Sequence, residues 1–129
     1  MDSISKFRSE LVQESQRLQL KAFYVKRVTS LVKFIAKKLS IPSERVFSKS
    51  RAAQFVQARN LLYLVLRQEG CSFPEIGELT GKHHTTIIYG INSIREQMET
   101  DEKLAQIAKE TLEYNAKLID DALEEHENI

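Results

Sequence analysis

The chain has 129 residues, of which 42% are hydrophobic and 29% charged, the usual make-up of one globular domain with a single core. Four glycines, two prolines and no tryptophan disfavour a turn-rich all-β fold, and apolar runs such as Leu61–Leu66 are too short to cross a bilayer. The formal net charge of +1 hides a split: residues 21–95 carry 13 basic and 4 acidic groups, whereas residues 96–129 carry 3 and 11.

In chain order, Met1 to Ser5 lack the basic start and apolar block of a signal peptide, so a cytoplasmic protein is expected. Phe7, Leu11, Leu18 and Phe23 predict an N-terminal helix from about Ile4 to Val25. Val28, Val32, Ile35, Ala36 and Leu39 then form a buried helical stripe. Pro42 pushes Ile41 away from helical angles and ends it. Ser43 is expected to cap a short turn that carries Val46 and Phe47 inward, followed by a polar loop, residues 48–51. From Ala52 to Glu69 the pattern is helical again, with Phe55, Val56, Leu62, Val65 and Leu66 for the core and Gly70 as cap. Cys71, the only cysteine, excludes an internal disulfide.

Residues 72–89 are the most informative stretch. Ser72 and Glu75 fit a capping box, Pro74 sits in the first helical turn, and Gly81 stops the helix. A second helix opens near His83 and presents His83, His84, Thr85 and Thr86 as a donor- and acceptor-rich tip. Ile87, Ile91, Ile94 and Met98 form its inward stripe. Two helices around a tight glycine turn are what a helix-turn-helix places against a DNA major groove. Thr100, Asp101 and Glu102 start a last helix with a weaker apolar face, from Leu104 and Ile107 to Leu112, Leu118, Ile119 and Leu123.

Two decoys fail. His83 and His84 are adjacent, His126 lies far off in the acidic tail, and no cysteine cluster exists, so no metal is expected. Gly77, Gly81 and Lys82 lack the spacing of a phosphate-binding loop, and no strand precedes them, so no nucleotide or other cofactor is expected. Paired carboxylates and a nucleophile with its base are also missing, which argues against an enzyme.

The sequence SFPEIGELTGKHHTTIIYGINSI resembles the signature of the DNA-binding C-terminal domain of the bacterial replication initiator DnaA, a Trp-repressor-like helix-turn-helix, here without its ATPase module. The resemblance covers residues 28–98. It implies that His84 and Thr85 face bases and that Thr86 meets a phosphate. It also implies that Arg51 reaches the adjacent minor groove, that Lys49, Arg59 and Arg67 meet phosphates, and that Lys82 sits at the groove mouth. Ser72, Phe73 and Pro74 resemble a segment that approaches the DNA backbone or a base edge. Tyr89 either reaches a phosphate with its hydroxyl or covers the edge of the core. Departures are His83, where the family usually has Asp, a turn one residue shorter before it, and Ala53 and Gln57 where arginines are common.

The expected protein is therefore all-α: a compact helical bundle holding the helix-turn-helix core (residues 28–98), an N-terminal helical extension (residues 1–27) and an acidic C-terminal helix (residues 99–129). Its expected partner is double-stranded DNA, with a homodimer as a second association. The rival is a helical protein-interaction module that keeps the fold without binding DNA.

Overall fold

The computed structural model describes residues 3–127, excluding the side chains of residues 20, 126 and 127; His126 of the metal argument thus lies outside the described side chains. Five α-helices make up the fold: α1 (Ser3–Leu39), α2 (Ala53–Glu69), α3 (Phe73–Thr80), α4 (His84–Thr100) and α5 (Glu102–Glu127). The chain is an all-α bundle, and no strand occurs among the described residues. None of these helices is long and apolar enough to cross a membrane.

The two N-terminal runs expected as separate segments are one continuous helix, α1. The residues between them, Lys26 and Arg27, are good helix formers, and no glycine or proline intervenes. The helix ends where Ser40 turns to a φ of +57° ahead of Pro42. A 3-10 turn, Ser43–Arg45, follows. Ser43 lies inside this turn instead of capping it; Pro42 holds the cap position, where no side-chain bond is made. Val46 is buried as expected, but Phe47 is 37% exposed. A single turn followed by irregular backbone has no face on which two successive residues both point inward.

Helix α2 is the centre of the bundle, packed against α1, α3, α4 and α5. Its six-residue run Leu61–Leu66 is buried on every side, as a helix hydrophobic all round must be. Helix α4 lies tight against α2 at Gly90, where an added Cβ would lie 2.3 Å from Asn60 Oδ1 and 3.2 Å from Tyr63 Cδ2. Asp101 breaks the chain between α4 and α5, and its carboxylate accepts the Leu104 N–H at 3.0 Å, capping α5.

The acidic helix α5 packs on the body. Tyr114 stacks on Phe34 with centroids 4.3 Å apart, and Glu110 pairs with Lys38 at 2.8 Å. Deeper, Arg27 Nη1 donates to the Glu69 carboxylate and to Asn115 Oδ1 at 2.8 Å, while Asn115 Nδ2 donates to Glu69 at 3.1 Å. The Arg27 side chain is 2% exposed and its guanidinium lies 5.0 Å from the Tyr24 ring centroid. This triad fastens α1, α2 and α5 together at one point.

Candidate nucleic-acid interface

The helix-turn-helix is built from local bonds that its sequence specifies. Glu75 N–H donates to Ser72 Oγ and Ser72 N–H to Glu75 Oε1, both at 3.2 Å, which completes the capping box of α3 with Pro74 in its first turn. These bonds hold the Glu75 carboxyl below the usual carboxylate range, the Ser72 hydroxyl first among the causes. At the other end Gly81 adopts φ +70° and donates to the Gly77 carbonyl at 2.8 Å. The turn folds back so tightly that a Cβ on Gly77 would meet the Lys82 carbonyl at 2.7 Å. That contact explains the glycine at position 77, and the left-handed φ explains the one at position 81.

His83 is the N-cap of α4. Its Nδ1 accepts the Thr85 N–H at 3.2 Å and lies 2.8 Å from Thr85 Oγ1. As acceptor for the N–H, Nδ1 carries no proton, and Nε2 is left as the outward-facing nitrogen. An aspartate, usual at this place in the resembling family, would cap the helix in the same way. His84 packs beside it with ring centroids 4.2 Å apart, and His83, His84, Thr85 and Thr86 are all exposed. Beyond the tip, Ile87, Gly90, Ile91 and Ile94 are buried against the body. Tyr89 is 77% exposed, which removes the reading of it as a cover for the core. Ile88 and Asn92 share its solvent face. The sequence reading passed over both; their spacing from Thr85, at i+3 and i+7, was the available signal.

The basic loop before α2 is held from behind. Arg59 Nη1 donates to the carbonyls of Val46 at 2.7 Å and Ser48 at 3.3 Å, and Nη2 donates to the carbonyl of Ser50 at 2.9 Å. The alternate residues Lys49 and Arg51 are left exposed. Ser50 and Ser48 tighten the loop further through Ala52 N–H to Ser50 Oγ at 3.2 Å and Ser50 N–H to Ser48 Oγ at 3.3 Å. Arg59, expected as an outward-facing phosphate contact, is thus a half-buried anchor with most of its donors committed to the loop. Sequence alone shows a helical arginine and no trace of the carbonyls it serves. Arg45, also exposed, lies 5.0 Å from the Phe55 ring centroid and adds a basic group beside the loop.

Arg67 joins the two halves of the site. Its Nη1 donates to the Cys71 carbonyl at 3.1 Å and its guanidinium stacks 4.3 Å from the Phe73 ring centroid, at the start of α3. The guanidinium is therefore presented next to Ser72 and Pro74. Lys82 is half-buried in the turn. Among the described residues no group of three or more His, Cys, Asp or Glu side chains is placed to hold a metal ion.

The sequence pattern of a family described as bacterial dnaA protein helix-turn-helix matches residues 28–94. Relatives include the chromosomal replication initiator protein DnaA of Thermomicrobium roseum, 36% identical over 74 residues that make up 56% of this chain and 15% of that protein. The protein of the same name from a Nostoc species is 34% identical over 83 residues, 63% of this chain and 18% of the relative. The chain therefore spans less than a fifth of the length of these relatives. The crystal structure of a DNA replication initiation factor shares the fold, with a TM-score of 0.61 at 20% identity over 82% of this chain and 37% of that one. The matched segment holds α2, α3, the capped turn and α4 as far as Ile94, and the chain belongs to the bacterial DnaA helix-turn-helix family.

Proposed function

We propose that this chain binds double-stranded DNA sequence-specifically and acts as a regulator at initiator-like boxes. Family membership supports DNA binding. The observation that carries the finer reading is the division of α4: Thr85, Ile88 and Tyr89 face solvent while Ile87, Gly90 and Ile91 are locked into the bundle. The first turn of α4 enters the major groove. His84 and the Thr85 methyl meet base edges, with thymine methyl as the natural apolar partner. Thr86 and the Tyr89 hydroxyl reach phosphates, as do Lys49, Arg67 and Lys82. Ser72 and Pro74 bring the open amides at the start of α3 toward the backbone. Arg51 enters the adjacent minor groove, where A·T-rich sequence deepens the negative potential. Arg59 acts on the duplex mainly through the loop it holds.

Neutralising several phosphates makes affinity salt-dependent; six to ten contacts lose roughly 10³–10⁵ in affinity between 50 and 200 mM salt. Binding to duplexes enriched from a random pool should show that slope. Affinity flat across the range leaves the interaction-module reading in its place, against which the basic body already argues. His83→Asp keeps a capping acceptor but removes the Nε2 donor, so it should move preference toward cytosine at one base pair by about 1–3 kcal/mol. Identical ranking of the four base pairs by both proteins would show that His83 reads no base.

A further inference from the structure

Helix α1 runs well past the bundle. Every described side chain from residue 3 to residue 19 is exposed, a stretch roughly 26 Å long at the α-helical rise; from Lys21, which pairs with Glu78 at 3.6 Å, to Tyr24, which packs against the core, the helix meets the body. A helix in a protein draws most of its stability from packing one face against a neighbour, which this stretch lacks. This one also leaves apolar groups uncovered: Ile4 is 66% exposed, Phe7 60%, Leu11 54%, Leu18 54% and Val25 51%. Ile4, Leu11, Leu18 and Val25 recur at strict seven-residue intervals, with Phe7 three residues after the first. A seven-residue apolar repeat is the seam of a two-stranded coiled coil, not of a helix meant to stay in solvent.

We infer that the arm, residues 3–25, pairs antiparallel with the arm of a second copy of this chain. The register follows from charge. In a parallel pair, the remaining seam positions would set Glu14 against Glu14 and Lys21 against Lys21 of the second copy. In an antiparallel pair centred near residues 12 and 13, Phe7 meets Leu18 of the second copy and Leu11 lies along the stem of its Glu14. Glu10 then faces Arg17 of the second copy, twice by symmetry. Glu14 is already tied to Arg17 of its own helix at 2.8 Å, which keeps its charge at the edge of the seam. The same register brings Ile4 of the second copy to the root of the arm. There Tyr24, Val25 and Leu79 border a groove of about 300 Å³ between α1 and α3, with charged residues, Lys21 and Glu78 among them, on its other walls. The stripe therefore continues into a concavity of the body.

The pairing requires no DNA and is tested without it, on the full chain, by sedimentation across a wide concentration range. A monomer–dimer equilibrium is expected, and Leu11→Gln with Leu18→Gln should weaken the dimer at least tenfold while the body's thermal unfolding stays in place. Mixing Glu10→Cys chains with Arg17→Cys chains under mild oxidation should give a disulfide-linked heterodimer, with little linkage of Glu10→Cys chains alone; Cys71 is buried and does not compete. A chain that stays monomeric at every concentration overturns the inference. So does a dimer indifferent to the double glutamine variant, or one in which Glu10→Cys chains link to each other more readily than to Arg17→Cys chains.

Discussion

The two halves of α1 contain the same kinds of residues and have opposite fates. Residues 28–39 bury Val28, Leu31, Ile35 and Ala36 in the core, whereas Ile4, Leu11 and Leu18 on the arm stay more than half exposed. Each half also has an arginine–glutamate pair. Arg27 and Glu69 are 2% and 13% exposed, and Arg17 and Glu14 are 71% and 53% exposed. Periodicity marks a face that needs covering. Only the rest of the chain decides whether something covers it, and along the arm Ile4, Phe7, Leu11 and Leu18 stay uncovered among the described residues.

The sharpest way to break this comparison is through the two ion pairs. Arg27→Ala should destabilise the fold by about 3–5 kcal/mol, because it strands the Glu69 carboxylate in a nearly closed site; urea unfolding would measure it. Arg17→Ala should leave the unfolding midpoint where it was, since its pair lies in water. If both variants behaved alike, the arm would be as well buried as the body. Next in size, Leu31→Ala should lose about 2–5 kcal/mol through a cavity at a fully buried site, against no change in the unfolding of the body for Leu18→Ala at low protein concentration.

A milder pair of predictions concerns the loop. Arg51→Ala should weaken binding by about 1–3 kcal/mol and relax preference at the A·T-rich end of the site. Arg59→Ala should relax the same end, because the loop loses its anchor, and Arg59→Lys should not restore it, since one ammonium cannot reach three carbonyls at once. Competition binding on duplexes altered only at that end would read both.

The smallest effect is on Cys71, beside the Arg27 pair. Burial pushes its thiol up to about 11, with Glu69 as the next cause. In the unfolded chain the thiol ionises near its ordinary value. Its contribution to stability is therefore complete below pH 9 and is lost as the pH rises toward 11. Alkylation at neutral pH should stay slow until the protein unfolds.

Much of the core was legible. Phe55, Leu62, Val65 and Leu66 are buried as their helical pattern predicts, and the Ser72–Glu75 box and Gly81 marked the turn; that Leu61, Tyr63 and Leu64 are buried as well was not read from the pattern. Two features were hidden because their partners are backbone atoms: the carbonyls gathered by Arg59, and the amide capped by His83. The second left a trace, for an aspartate at that place in the family is itself a good capping residue. The N-terminal helix was expected to end near Val25, yet Val25, Val28 and Val32 keep helical spacing across that point, which signals a change of neighbours and not an end of helix.

Gly90 has a consequence that reaches beyond its own contact. It lies six residues from the tip of α4, about 9 Å along the helix, at a place where α2 leaves that helix no room for a side chain. A rigid rod pressed against a support near its middle turns small displacements there into changes of aim at its end. The direction in which His84 and Thr85 point is thus set from the inside, by a missing methyl group against Asn60 and Tyr63. Under the proposed function, target preference is open to change from the core, with every exposed side chain at the tip of α4 left as it is.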